Sequence, residues 1–378
     1  MRINTIEKGT NKRKTGNGKQ KKLKGKNIFT TLFFLGTLGT ITGMTLLYGP
    51  WSFFREWLVT TAMTTMTHQY YATIFYDENT IDYILDKNKV VETDDDTNPD
   101  LITTGDTYKT VFENEYERQI LERDSKNNDY KVIPIDGKGY DGYMVAIYEP
   151  SRIRAVVTKN LGASGQYVTK MASDHDALVA INGGGFDDPN YVGTGGSPLG
   201  VTITSGKVVS GGWYGGNGGV IGFDKQDKLI LGKMTLEEAQ KKGIRDAVTF
   251  GPFLIVNGKK SEVLGNGGWG TAPRTAIGQR KDGIVLFLVL DGRKATKPGA
   301  TMNDIIKIME QYGAYNAANL DGGTSTVLVI DSIIVNDPID LAGSHRTRPV
   351  ASAFILDKDG KDNSDHSIIQ DKLDKYGK

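Results

Sequence analysis

The 378-residue chain predicts an α+β protein, an extensive and partly mixed β-sheet with a few helices, preceded by an N-terminal transmembrane helix. Three observations predict it. Residues 28–48 carry no charge over a length that matches the apolar core of a bilayer. From residue 130 onward, short runs rich in Val, Ile, Leu and Phe alternate with turn residues. In that same region only two segments carry both a helix start and a helix stop.

The elements follow in chain order. Residues 1–27 form a basic tail. Up to residue 26 it holds ten Lys/Arg against Glu7 alone, a net of +9, which leaves −8 for the rest of a chain whose total is +1. Residues 28–48 are the membrane anchor, followed by Pro50 and the interfacial aromatics Trp51, Phe53, Phe54 and Trp57. A cleaved signal peptide is the competing reading. Its apolar region is usually shorter and ends in a small-x-small site, which does not follow closely here. The positive-inside rule then keeps the tail cytoplasmic and sends the acidic body outward, a single pass through the cell membrane. A nucleic-acid role for the tail is the alternative, but it lacks aromatics to interleave with its charges, and no nucleic-acid partner is expected.

Residues 49–130 read as a membrane-proximal helix and then an acidic linker. The helix carries His68 as a packing residue, and the linker carries Glu92, Asp94, Asp95 and Asp96. Residues 131–357 read as one globular domain and 358–378 as a polar tail. Helices are expected at 235–243 and 301–313, each opened by a Thr cap and closed by Gly. Asn-Gly, Ser-Gly and Asp-Gly pairs mark hairpin turns between the strands. The chain has no cysteine, which excludes disulfides, thiolate metal sites and cysteine nucleophiles. Its 47 glycines cluster between Gly183 and Gly323 without a collagen-like period, which points to tight turns and close backbone approaches.

Four loops at strand ends carry the candidate chemistry. Asn182 is followed by Gly183, Gly184, Gly185 and Phe186, a glycine run able to bring backbone N–H groups to a ligand. Arg274 follows Pro273 at the head of an apolar strand, where a guanidinium can clamp a phosphate or carboxylate. The buried-type run 286–290 discharges into Asp291, Gly292 and Arg293. Asn319 and Asp321 alternate on a short strand before Gly322, Gly323, Thr324, Ser325 and Thr326, the most specific string in the chain. Paired carboxylates beside oriented donors are what glycosyl transfer to water needs. A Ser-His-Asp hydrolase is the rival, but no G-x-S-x-G elbow is present, and the body offers only His175 and His345 besides His366. Asp187 and Asp188 leave open a divalent-metal site or a turn cap.

Taken in order, these motifs, together with the strand 200–209, the 249–259 hairpin and the closing 348–356 segment, resemble the phosphodiester glycosidase family over about residues 140–357. The resemblance implies hydrolysis of a sugar-1-phosphodiester at its glycosidic bond, the substrate being a sugar-phosphate glycan of a cell envelope or exopolysaccharide. It implies Asp321 as base or nucleophile, Asp291 as electrostatic or orienting partner, and Arg274 and Arg348 on the phosphate. Asn182 to Phe186, Arg293, Asn319, Gly322 to Ser325 and His345 would line the substrate. The chain departs from the family pattern at Thr324, where members often have Gly. It departs again before Arg348, where an acid is absent or replaced by His345. No cofactor is implied with certainty, and a divalent metal stays open. The rival function is a non-catalytic glycan-binding or assembly factor in polysaccharide export.

Overall fold

The computed structural model describes residues 25–65, 68–93, 95–105, 111–123, 127–187, 195–212 and 218–358. Most of the basic tail, the polar tail beyond residue 358, Asp94 and Asp188 lie outside them. The chain divides into two compact units, Met1–Arg55 and Glu56–Lys378.

In the first unit one helix runs from Gly25 to Tyr48. Its segment Ile28–Tyr48 is long and apolar enough to cross a membrane, with a mean hydropathy of 1.4, a test that a signal sequence also passes. Threonines in such a helix need internal partners. Thr37, Thr40 and Thr45 donate their hydroxyls to the carbonyls of Phe33, Gly36 and Ile41, one turn back.

The second unit is built from three antiparallel sheets around one core. The first sheet has seven strands, in the order Lys259–Lys260, Phe253–Val256, Ala314–Asn319, Arg274–Arg280, Val285–Leu290, Asp141–Ile147 and Tyr130–Asp136. The second runs Ile333–Ile334, Leu328–Ile330, Ala177–Asn182, Ser352–Asp357 and Ile153–Val157. The third runs Leu229–Gly232, Gly219–Asp224, Ile244–Phe250, Val201–Thr204 and Lys207–Gly211.

The α+β class holds, and the pairing directions refine the expectation of a partly mixed sheet. Every pairing among these described strands is antiparallel. The helix Met302–Gln311 carries the chain from Val285–Leu290 past one strand. Ala314–Asn319 therefore lies against Arg274–Arg280 and not beside its predecessor.

Inner faces of all three sheets share a central core that includes Phe223, Val248, Ile277, Phe287, Leu328 and Phe354. The strand Val285–Leu290 reads as an unbroken apolar run because both of its faces are buried. Val285, Phe287 and Val289 point into that core, while Leu286, Leu288 and Leu290 pack with Ile305 and Met309 of the helix Met302–Gln311. Each such side chain stabilises the fold by about 1.5–3 kcal/mol. The helices Val168–Asp174 and Leu236–Lys241 cover the outer faces of the second and third sheets in the same way. Thr301 with Asp304, and Thr235 with Glu238, close capping boxes at the two expected helix starts.

The acidic segment expected as a linker is instead laid along the body as an arm. Val90–Val91 pairs with Glu262–Val263, and Thr103 N–H donates to Lys281 O at 2.8 Å. The Glu92 carboxylate accepts from Phe253 N–H at 2.7 Å and lies 2.9 Å from Lys233 Nζ. Asp95 pairs with Lys259 at 2.7 Å. The acids are spent on body lysines and on the strand N–H of Phe253, which a linker reading of the charge run does not anticipate.

Candidate active site

The site forms where the ends of the first and second sheets meet. Ala314–Asn319 leaves the first sheet, and the chain crosses to the second. Leu320 N–H donates to Thr275 O at 2.9 Å, Asp321 N–H to Gly183 O at 3.2 Å, and Gly323 N–H to Pro273 O at 2.9 Å. Asn182, fully buried at the end of its strand, pins this crossing. Its amide donates to Asp321 O at 2.6 Å, and its Oδ1 accepts from Thr275 Oγ1 at 2.7 Å and Val327 N–H at 3.2 Å. It holds three segments in place, a positioning task that differs from the expected contact with sugar hydroxyls.

The glycine run also works differently from the expectation. Gly183 N–H donates to Ser352 O, Gly184 N–H to Ser352 Oγ and Gly185 N–H to Thr249 O, at 2.9, 3.1 and 3.0 Å. These donors are consumed inside the fold and do not form an anion nest. Glycine is required because the neighbouring chains come so close: a Cβ on Gly184 would stand 2.6 Å from Thr249 O and 2.9 Å from Val248 Cβ. Phe186 is buried after the run and lies under the Arg348 guanidinium, 4.7 Å from ring centre to Cζ.

Three guanidinium groups converge on the 321–325 turn. Arg348 Nη2 lies 3.0 Å from Asp321 Oδ2, and its Nε donates to Ser325 Oγ at 2.7 Å. Ser325 Oγ donates to the same Asp321 oxygen, while Asp321 Oδ1 accepts from Gly322 N–H at 2.9 Å. Arg293 Nη1 donates at 2.8 Å to Thr324 Oγ1 and at 2.8 Å to Ile339 O, and its Nη2 stands 2.9 Å from where a Cβ on Gly323 would be. Thr324 thus gives Arg293 a hydroxyl partner that a glycine at this position would not supply. Arg274 Nη1 faces Gly322 at a corresponding 3.8 Å.

The charges feel one another. Burial pushes Arg274 down to about 10, with Arg293 adding to the shift. Burial lowers Arg293 as well, the Arg348 charge assists, and Asp340 opposes. Arg274 is otherwise engaged with backbone. Its Nε donates to Ala300 O at 3.1 Å, and its Nη2 donates to Trp269 O and, at 2.8 Å, to Gly270 O. One guanidinium edge remains directed at the turn, less than the full clamp the sequence suggests.

Asp291 sits nearby, almost wholly buried. Its two oxygens accept from Asn336 Nδ2 at 2.8 Å and Asp337 N–H at 2.9 Å. Burial pushes it up to about 6 despite these donors. Asn336 Oδ1 accepts from Leu328 N–H at 2.8 Å, which fixes Asp291 relative to the strand that follows the 321–326 turn. His345 does not touch Asp321 or Asp291. Its Nδ1 lies 2.6 Å from Asp337 Oδ1, and Lys294 Nζ lies 3.1 Å from Asp337 Oδ2. Burial alone would raise Asp337, but these two partners outweigh it and hold the carboxyl below its usual range. Asn319 is directed elsewhere as well. Its amide donates to Gly251 O at 2.8 Å, while its buried Oδ1 has no partner.

Asn336, Asp337, Asp340 and Trp269 shape this site without having been singled out in the sequence. A signal for the first two existed, since the strand Ile333–Ile334 runs within two residues into Asn336-Asp337, as Val285–Leu290 runs into Asp291. The Trp269 loop is held from behind by Thr60 of the helix Ser52–Met63 and by Asn88 at the start of the arm. Asn266 Nδ2 donates to Thr60 Oγ1, and Asn266 N–H donates to Asn88 Oδ1, both at 2.9 Å. Trp269 meets Phe250 edge to face, with ring centres 5.9 Å apart. For a metal, Asp187 is exposed, Asp188 lies outside the described residues, and among the described residues no group of three His, Asp or Glu side chains is gathered.

A family model described as phosphodiester glycosidase matches residues 175–356. The SPbeta prophage-derived protein YomE of Bacillus subtilis is 29% identical over 182 residues, which cover 46% of this chain and 27% of YomE. N-acetylglucosamine-1-phosphodiester alpha-N-acetylglucosaminidase of Mus musculus is 24% identical over 243 residues, 55% of this chain and 43% of the mouse protein. The chain thus spans less than half the length of either curated relative. The catalytic domain of the zebrafish N-acetylglucosamine-1-phosphodiester alpha-N-acetylglucosaminidase, solved auto-inhibited by its pro-peptide, has the same fold. Its TM-score is 0.52 at 20% identity, covering 61% of this chain and 83% of that one. Motif order, fold and family match agree in likening residues 175–356 to the phosphodiester glycosidase family.

Proposed function

We propose that the protein hydrolyses the glycosidic bond of a sugar-1-phosphodiester in an envelope or exopolysaccharide glycan, outside a membrane that its Ile28–Tyr48 helix anchors it to. The observation that carries this reading is the convergence of Arg274, Arg293 and Arg348 on the turn that bears Asp321, with the buried Asp291 tied through Asn336 to the strand that follows that turn. Guanidinium groups suit a phosphate, and a phosphate monoester leaves readily, so little general-acid help is needed. In the reaction, the anomeric C–O bond to phosphate breaks and water supplies the new C–O bond. Asp321 serves as base for that water, or as nucleophile ahead of it, and the phosphate departs as an anion against Arg293 and Arg348. Asp291, tied through Asn336 to the strand that follows the turn, is the orienting and electrostatic partner.

The test is release of reducing sugar from sugar-1-phosphodiesters by the full-length protein in detergent, with and without chelator, compared with Asp321→Asn. Turnover by wild type that the variant loses is the expected result. Binding without turnover by both proteins would instead establish a glycan-binding assembly factor.

A further inference from the structure

We infer that the face built from Tyr70, Tyr71, Ile74 and Phe75 seats in the interfacial layer of a phospholipid bilayer and so holds the site at the membrane surface. The inference rests on the membrane reading of the Ile28–Tyr48 helix.

The helical turn Tyr70–Thr73 continues through Ile74 N–H to Tyr70 O at 3.1 Å and Tyr76 N–H to Ala72 O at 3.0 Å. Residues 70, 71, 74 and 75 therefore share one face, since positions four apart are neighbours on a helix. That face is turned outward, with Tyr70 47%, Tyr71 46%, Ile74 66% and Phe75 36% exposed. The opposite face, Ala72 and Tyr76, is buried in the body. This inverts the usual arrangement, and a contiguous exposed apolar patch of this kind marks an interaction surface.

The chemistry selects a bilayer as occupant. Tyrosine rings with polar tips are enriched at the membrane–water boundary. The patch follows the apolar helix by only twenty-odd residues, and Trp51, Phe53 and Trp57, all exposed, lie between them. Asp77 and Glu78 close the patch, so attraction to anionic lipid is not what would hold it, and zwitterionic lipid suffices. The consequence reaches the site through the arm. Asn88, Val90 and Val91 of the arm, with Thr60 of the helix Ser52–Met63, hold the 262–268 segment, which leads directly into Trp269 and Gly270, whose carbonyls hold Arg274. The substrate matched to this arrangement is a sugar phosphate presented at the bilayer surface.

The absence of cysteine makes the test direct. Full-length Ile74→Cys, Leu38→Cys and Val208→Cys are each labelled with a fluorophore and reconstituted at low density in phosphatidylcholine vesicles containing shallow nitroxide lipids. Position 38 reports the anchor, and position 208, on an exposed strand of the third sheet, reports water. Quenching at 74 should be at least about twofold that at 208. Quenching at 38 with 74 matching 208 overturns the inference and leaves the membrane reading intact. Absence of quenching at 38 overturns both. Shielding at 74 that rises with protein density and not with lipid assigns the face to a second copy and also overturns the inference.

Discussion

The Asp321 carboxylate has three partners, the side chains of Arg348 and Ser325 and the backbone N–H of Gly322, and so presents its oxygens in a fixed direction at the site. Asp321→Asn keeps the shape and removes the charge. It should lower kcat/KM by about 10²–10⁴-fold, with the melting temperature within a few degrees of wild type. Asp291 makes a different prediction. Its pKa rises from an ordinary 3.8 to about 6 on folding, so between those values the folded state holds the extra proton. Stability should therefore fall as pH rises from about 4 to about 6, by at most about 3 kcal/mol. Denaturant unfolding of Asp291→Asn across that range should lack this part of the slope, and identical slopes would show that the carboxyl titrates normally. At this scale the sequence was readable for charged residues at strand ends. It misled for Asn182 and the glycines, because a polar side chain or a bare N–H does not reveal whether the fold or a ligand uses it. Here Thr275, Val327 and Ser352, far away in sequence, consume those groups.

Among the elements, the glycine run and the arm carry the most structural consequence. Gly184→Ala places a methyl against Thr249 O and Val248. It should destabilise the protein by about 1–3 kcal/mol, visible as a lower melting temperature, although the residue binds no ligand in this account. Thr60→Val removes the acceptor for Asn266 and loosens the loop that holds Arg274. KM for the phosphodiester should rise more than kcat falls, and Thr60→Ser should restore it; a loss of kcat alone would assign Thr60 a purely structural role. The helix starts were legible because a capping box is local. The arm was not, because a run of acids looks solvated until lysines distant in sequence, Lys233, Lys242 and Lys259, are brought against it. The sheet directions were hidden for the same reason: nothing local states that Ala314–Asn319 passes over its predecessor to pair with Arg274–Arg280.

On the scale of the whole molecule, the helix-backed sheets of the body bring strand ends from two of them together at the site. There, three arginines face a carboxylate turn in a body whose net charge is negative. Local cations, not global charge, make the site suited to a phosphate. The family match supports the phosphodiester glycosidase class for this domain. The bond that is cut is the central claim. Hydrolysis of a sugar-1-phosphodiester in ¹⁸O-labelled water, with both products read by mass spectrometry, tests it directly. The label should appear on the anomeric hydroxyl of the released sugar, with the phosphate unlabelled. Label on the phosphate would place the cleavage at the P–O bond and contradict the account.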